Sequence, residues 1–260
     1  MDAPILVTGG TGTIGRRVVP LLRAAGRDVR TLSRHPHPGA GGSRHFLGDT
    51  VAGRGLRPAL AGVGVVLHLA GGAKGDDTAA RHLAAAAAAA GVGHVVLVSV
   101  VGADRVPVGY FRAKAAAEQA VIGSGIPWTV LRVAQLHDLA LRAVTALARL
   151  PITPVPRGVR LEPVHGEEVA ARLADLALAA PSGRARDLAG PQVLDVAALL
   201  AAVDARRAHP RRTLPVPLPG AAGRAYRAGE NLAGPQAQRG ARTWADFLAE
   251  RAVVRAGAAG

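Results

Sequence analysis

The first half of the chain alternates short apolar runs with longer stretches at helical spacing. Residues 4–8 (PILVT) form an apolar run that stops at a glycine-rich turn, which predicts a buried strand. Apolar positions from 14 to 25 recur at helical spacing and end at Gly26, a helix stop. The alternation continues with strands at 28–32 and, weakly, 45–47, a short helix at 54–61 and a strand at 63–69. An alanine-rich helix at 78–90 closes at Gly91, and a strand follows at 94–101. A helix at 110–122 ends near Gly123, before a sixth strand at 128–133.

Strands joined by helices of this length imply right-handed crossovers and a parallel sheet. Near-continuous apolar strands imply a sheet covered on both faces. The expectation is a doubly wound α/β fold of the Rossmann type, with strand order 3-2-1-4-5-6. Beyond residue 150 the pattern changes. Helices are predicted at 167–180 and 195–208, weakly at 221–231, and finally at 243–254, with a proline-rich stretch at 210–219. The expected organisation is a nucleotide-binding domain over 1–150 and a smaller C-terminal substrate-binding region over 151–260, packed on the same domain.

Composition narrows the function classes. The 260 residues hold no cysteine, so disulfides, thiolate metal sites and cysteine nucleophiles are excluded. The nine histidines form no metal-ligand spacing, and no metal is expected. No apolar run reaches membrane-spanning length, and residues 1–8 read as a strand rather than a secretory leader, so a cytoplasmic protein is expected. The net charge of +14 is nearly all arginine, since only Lys74 and Lys114 are lysines. Arginines are scattered, with short pairs at Arg206-Arg207 and Arg211-Arg212, and aromatics are only 3%. That pattern does not suit nucleic-acid binding.

Gly9, Gly12 and Gly15 are spaced G-x-x-G-x-x-G between a strand and a helix. In that context the first glycine allows a tight turn, the second admits a pyrophosphate, and the third packs helix on strand. The amides of Thr11, Gly12, Thr13 and Ile14 would face the phosphates from the positive helix end. The second strand ends in Ser33-Arg34, where an NAD binder wants a carboxylate. Ser33 can donate to a 2′-phosphate and Arg34 can pair with it, so NADP(H) is expected over NAD(H). Arg34 also reads as one more surface arginine. Asp49, after the third strand, suits an adenine amino group, and Ala70-Gly71-Gly72, after the fourth, suits close passage of the adenosine ribose.

Tyr110 and Lys114 lie one turn apart on a predicted helix. An ammonium beside a phenol favours the phenolate, which would make Tyr110 a usable acid or base for a carbonyl oxygen during hydride transfer. Lys114 could also hold the nicotinamide ribose hydroxyls. The plainer alternative is a packed tyrosine and a solvated lysine.

Residues 8–15, 110–114 (YFRAK) and 131–138 (LRVAQLHD) together resemble the atypical short-chain dehydrogenases, specifically the NmrA-like NAD(P)-binding group. Residues 240–248 (GARTWADFL) are similar to the end of bacterial members. The resemblance spans nearly the whole chain. It implies an NADPH-dependent oxidoreductase acting on a small-molecule quinone, ketone or enone, or else a non-catalytic dinucleotide sensor. An isomerase with tightly held cofactor is a third reading, because the fold does not fix the reaction. The superfamily places a serine or threonine after the fifth strand beside the tyrosine; Ser99 is the hydroxyl here, while Val100 and Val101 stand where related members often carry it. Gln135 and His137, after the sixth strand, are expected to touch substrate. His68 is expected as a core or cofactor-edge residue, and His165 in capping or packing. Trp244 and Phe247 are expected to dock the last helix. A monomer or homodimer is expected.

Overall fold

The computed structural model describes residues 3–36, 43–72, 75–147, 152–205 and 212–257. Lys74, the pair Arg206-Arg207, Arg211 and the end of the helix expected at 195–208 lie outside the described residues.

The chain opens with β1 (Ile5–Thr8), α1 (Gly15–Ala24), β2 (Val29–Ser33), β3 (Arg44–Leu47) and α2 (Leu56–Leu60). β4 (Val65–His68), α3 (Asp76–Ala89), β5 (His94–Val100), α4 (Gly109–Ile122) and β6 (Trp128–Val133) follow. Next come α5 (His137–Leu147), β7 (Ile152–Pro156), β8 (Arg160–Leu161), α6 (Gly166–Leu178), β9 (Gly183–Arg184), β10 (Leu188–Ala189) and β11 (Leu194–Asp195). The chain closes with α7 (Val196–Asp204), β12 (Arg212–Val216), α8 (Gly220–Ala228), β13 (Gln238–Arg239) and α9 (Trp244–Gly257).

Two compact units result. The first comprises residues 1–104, 108–132 and 166–186; the second comprises 105–107, 133–165 and 187–260. No single cut separates them, because α6 packs beside α1 in the first unit.

In the first unit the sheet runs β3-β2-β1-β4-β5-β6, the expected doubly wound order, and β9 pairs with β6. The pairings of β1 with β2 and β4, and of β4 with β5, are parallel. All seven residues of β5 are buried, as a strand covered on both faces requires. One face carries α2, α3 and α4 over a core that includes Leu6, Leu60, Leu83, Leu97, Val121 and Val130. The other carries α1 and α6, whose buried stripes hold Val18, Leu22, Val169 and Leu173. Such burial is the main stabilising term, at roughly 1.5–3 kcal/mol per large aliphatic side chain.

In the second unit α5, α7 and α9 enclose a core of Val144, Leu199, Leu200, Trp244 and Phe247. β7 and β12 form a parallel two-stranded sheet in register from Ile152↔Arg212 to Pro156↔Val216. β12 lies inside the proline-rich stretch at 210–219. A two-stranded sheet consists of edges only, and edges tolerate residues without an N–H donor. Leu188 of β10 pairs with Val133 and with Gln238.

Candidate dinucleotide site

The glycine turn is built as its spacing implies. Gly9 has φ +71°, and a Cβ there would stand 2.7 Å from the Ala70 nitrogen. The Gly12 N–H donates to Gly9 O at 2.9 Å, closing the turn. A Cβ on Gly15 would fall 2.1 Å from Gly9 O, so only glycine lets α1 start this close. At Gly12 an added Cβ would meet nothing nearer than Gly9 O at 3.2 Å. α1 begins with no side-chain cap on its N-terminus and no acidic residue in its first turn. Its positive end and backbone donors are thus open to an anion.

A cleft of about 390 Å³ opens on this turn. Thr11 and Gly12 line it, with Ser33 and Arg34 from the end of β2, Asp49 after β3, and Ala70 and Gly71 after β4. Thr13, Ile14 and Gly15 form the start of α1 behind that wall. Ser33 Oγ donates to His35 O at 2.7 Å, and Arg34 is exposed at the rim. Asp49 Oδ1 accepts the N–H groups of Val51 and Ala52 at 2.9 and 3.2 Å. An open helix N-terminus, a small-residue wall and an arginine at the end of β2 fit the pyrophosphate and ribose phosphate of a dinucleotide.

Beside the cleft wall lies a group of buried polar side chains. Thr8 Oγ and His68 Nδ1 lie 2.6 Å apart, and the Ala70 N–H donates to Thr8 Oγ at 3.3 Å. His68 is thereby satisfied within the sheet edge. Burial, then the nearby Lys114 charge, against an opposing pull from Asp76, lower its pKa from 6.5 to about 4. Asp76, the first residue of α3, accepts the Gly72 N–H at 2.6 Å and lies 2.8 Å from Lys114 Nζ.

On α4, Tyr110, Lys114 and Glu118 form one stripe at four-residue spacing. Tyr110 is half-buried and meets Phe111 edge-on at 5.5 Å. Glu118 is buried under a bidentate Arg132, with both contacts at 2.8 Å. Arg132 also reaches Asp104 at 2.7 Å, and Arg184 reaches Glu118 at 3.0 Å. Burial alone would raise the Glu118 carboxyl. Hydrogen bonding from Arg132, the adjoining Ser99 hydroxyl, and the charges of Arg132 and Arg184 hold it below the ordinary range. Ser99, near the end of β5, is itself buried.

Of the two residues after β6, Gln135 is half-buried and its carbonyl accepts the Val164 N–H at 2.9 Å. His137 is buried. Its side chain has no exposed surface and stacks on Phe247, with ring centroids 5.0 Å apart. Sequence reading had placed it at a substrate edge because it follows a strand end. It starts α5, however, and α5 turns it into the core of the second unit. His165 packs there too, 3.3 Å from Glu250. Trp244 and Phe247 are 3% and 2% exposed, so both anchor α9 in that core.

Sequence reading missed Asp76 and the Glu118–Arg132 pair. The signal for Asp76 was Asp76-Asp77 after a glycine-rich segment, a favoured helix start. That for Glu118 was its place one turn beyond Lys114. Among the described residues no helix is long and apolar enough to cross a membrane, and no three potential ligands could hold a metal ion.

Residues 9–177 match the family described as NAD(P)H-binding. The chain is 39% identical over 136 residues to (4-alkanoyl-5-oxo-2,5-dihydrofuran-3-yl)methyl phosphate reductase of Streptomyces griseus, covering 49% of this chain and 46% of that protein. It thus spans about half the length of that relative. It is 31% identical over 222 residues to an NAD(P)H azoreductase of Xenophilus azovorans, covering 82% of this chain and 77% of that one. Its fold is similar to an NADPH-dependent quinone oxidoreductase from Escherichia coli solved with NADPH, with a TM-score of 0.79, 19% identity, and 95% and 99% of the two chains covered. The glycine turn with its cleft, and the match over most of the chain, make this protein a member of the NAD(P)H-binding family.

Proposed function

We propose that this NAD(P)-dependent oxidoreductase reduces a quinone, ketone or enone and takes NADPH in preference to NADH. One observation carries the reading: a single cleft runs from Arg34 at the rim to Gly71, with the Lys114 ammonium directly behind Gly71. The pyrophosphate lies at the turn of Gly9, Thr11, Gly12, Thr13, Ile14 and Gly15. Ser33 and Arg34 take the 2′-phosphate, Asp49 takes the adenine amino group, and Ala70 and Gly71 pass the adenosine ribose. NADPH, when bound, supplies the hydride. Lys114 holds the nicotinamide ribose hydroxyls, and Tyr110, one turn earlier on α4, donates the proton to the substrate oxygen. Ser99, buried at the end of β5, is the proposed hydroxyl partner of Tyr110. Gln135 is the proposed substrate contact. The Streptomyces griseus relative is named for a carbonyl-bearing ring, which favours a carbonyl substrate here.

The test uses a quinone and enone panel with NADPH. Tyr110→Phe should lower kcat by about 10²–10⁴-fold, while NADPH affinity stays within about threefold. Full activity in Tyr110→Phe would remove the tyrosine from the chemistry. Arg34→Ala should abolish the NADPH-over-NADH preference; tighter NADH than NADPH binding in the wild type would reverse the cofactor assignment.

A further inference from the structure

Lys114 is a buried cation on which the proposed reaction depends. Its Nζ lies 2.8 Å from Asp76 Oδ2, and the two side chains are only 9% and 4% exposed. Asp76 is itself oriented by the cleft loop, since its Oδ1 accepts the Gly72 N–H at 2.6 Å. A Cβ on Gly71 would meet Lys114 Nζ at 2.8 Å and Asp76 Oδ2 at 3.1 Å, so the pair is lodged against the backbone of the loop. Asp76 also lines the cleft.

The neighbouring ionisable groups do not replace it. His68, from β4, feels the charges of both Lys114 and Asp76 but is kept neutral by burial. Asp77, the next residue of α3, faces Arg81 at 3.4 Å and is partly exposed. Glu118, one turn further on α4, is taken by Arg132 and Arg184. Among the described residues, Asp76 is the carboxylate within ion-pair range of Lys114. A carboxylate in a first helical turn is ordinary. The α3 N-terminus already has one in Asp77, however, and helix capping does not require a second one buried against an ammonium.

We propose that Asp76 is a positioning residue for Lys114, fixing the ammonium behind Gly71 and supplying its counter-charge, so that it meets the ribose hydroxyls of the cofactor. The proposal rests on the cofactor reading above. It predicts that Asp76 acts on binding through Lys114 and not independently.

The experiment is a double-mutant cycle on NADPH affinity and on steady-state kinetics, with Asp76→Asn, Lys114→Met, the double variant and Asp76→Glu. Asp76→Asn should weaken NADPH binding about tenfold or more with Lys114 present and less than about twofold in the Lys114→Met background. Its KM for NADPH should rise by the same factor, with kcat at saturating NADPH within about threefold of wild type. Asp76→Glu, which keeps the charge, should recover part of the loss. Equal losses in both backgrounds, or unchanged NADPH affinity in Asp76→Asn, would overturn the proposal. If Asp76→Asn does not fold, the double variant decides: affinity equal to Lys114→Met alone supports the coupling, and a further tenfold loss refutes it. A wild type that fails to bind NADPH sinks the cofactor reading and this proposal together. A wild type that binds NADPH but shows no coupling sinks only the role of Asp76.

Discussion

Gly12 and Gly15 stand three residues apart in one turn, yet a methyl group added to each meets different surroundings. At Gly15 it would overlap backbone, with Gly9 O at 2.1 Å and Gly10 Cα at 2.5 Å. Backbone cannot swing aside as a side-chain tip can, so Gly15→Ala should destabilise the first unit by about 1–3 kcal/mol. At Gly12 the nearest atom is 3.2 Å away, and Gly12 lines the cleft proposed for the pyrophosphate. Gly12→Ala should therefore change stability by less than about 1 kcal/mol and weaken NADPH binding about tenfold or more. Urea unfolding and NADPH titration of the two variants check this; equal effects of both on stability would show that Gly12 is also a packing glycine. The glycine turn was legible in the sequence because its constraint is local. Asp76 and Lys114 are 38 positions apart, and their contact is set by where α3 and α4 lie against each other. Helical spacing tells which residues share a face, but not what opposes that face. The same limit holds for His137, whose position after a strand end says nothing of the aromatic side chains that α9 brings to it.

Among the elements, α9 depends most clearly on a few side chains. Trp244 and Phe247 stack with centroids 5.4 Å apart, and Trp244 Nε1 donates to Leu199 O at 3.2 Å in α7. Phe247 also stacks on His137, and the Arg251 guanidinium lies over the Phe247 ring, 5.3 Å from its centroid. Phe247→Ala would leave a void among these rings and should cost about 3–5 kcal/mol in the second unit. Faster amide exchange along α9 would accompany it; unchanged exchange would mean that Trp244 alone holds the helix. This docking was readable from two aromatics three residues apart in a chain with few others. The central strands β1, β4, β5 and β6 were readable for a related reason, since burial on both faces forces apolar runs, whereas β3 at the end of the sheet is exposed or half-buried and left only a weak signal. β8, β9, β10, β11 and β13 were not readable, because two-residue strands leave no period to detect. α3 starts at Asp76, two residues before the alanine pattern marks it, because its first turn is defined by acidic side chains and not by apolar ones.

At the scale of the molecule, each unit contains a buried histidine that resists protonation. His68 in the first and His137 in the second both have pKa values lowered from 6.5 to about 4. In both, burial is the leading cause. The Lys114 charge adds to it at His68, and His165 adds to it at His137, where Asp138 opposes. The unfolded chain takes up these protons near pH 6.5, whereas the folded chain takes them up only near pH 4. Stability is therefore fully present above pH 6.5 and is lost as the pH falls towards 4, by roughly 3 kcal/mol per histidine at the low end. Glu118, held below the ordinary carboxylate range, loses its contribution only further down. Acidification also raises a net charge that is already +14, so a general repulsion acts in the same direction. Replacing one histidine separates the two causes. His137→Phe removes a single titrating group, keeps an aromatic ring against Phe247, and leaves the rest of the charge unchanged. Between pH 7 and pH 5 its urea midpoint should fall less than that of the wild type. Parallel pH profiles for the two proteins would assign the acid sensitivity to net charge and not to the buried imidazole.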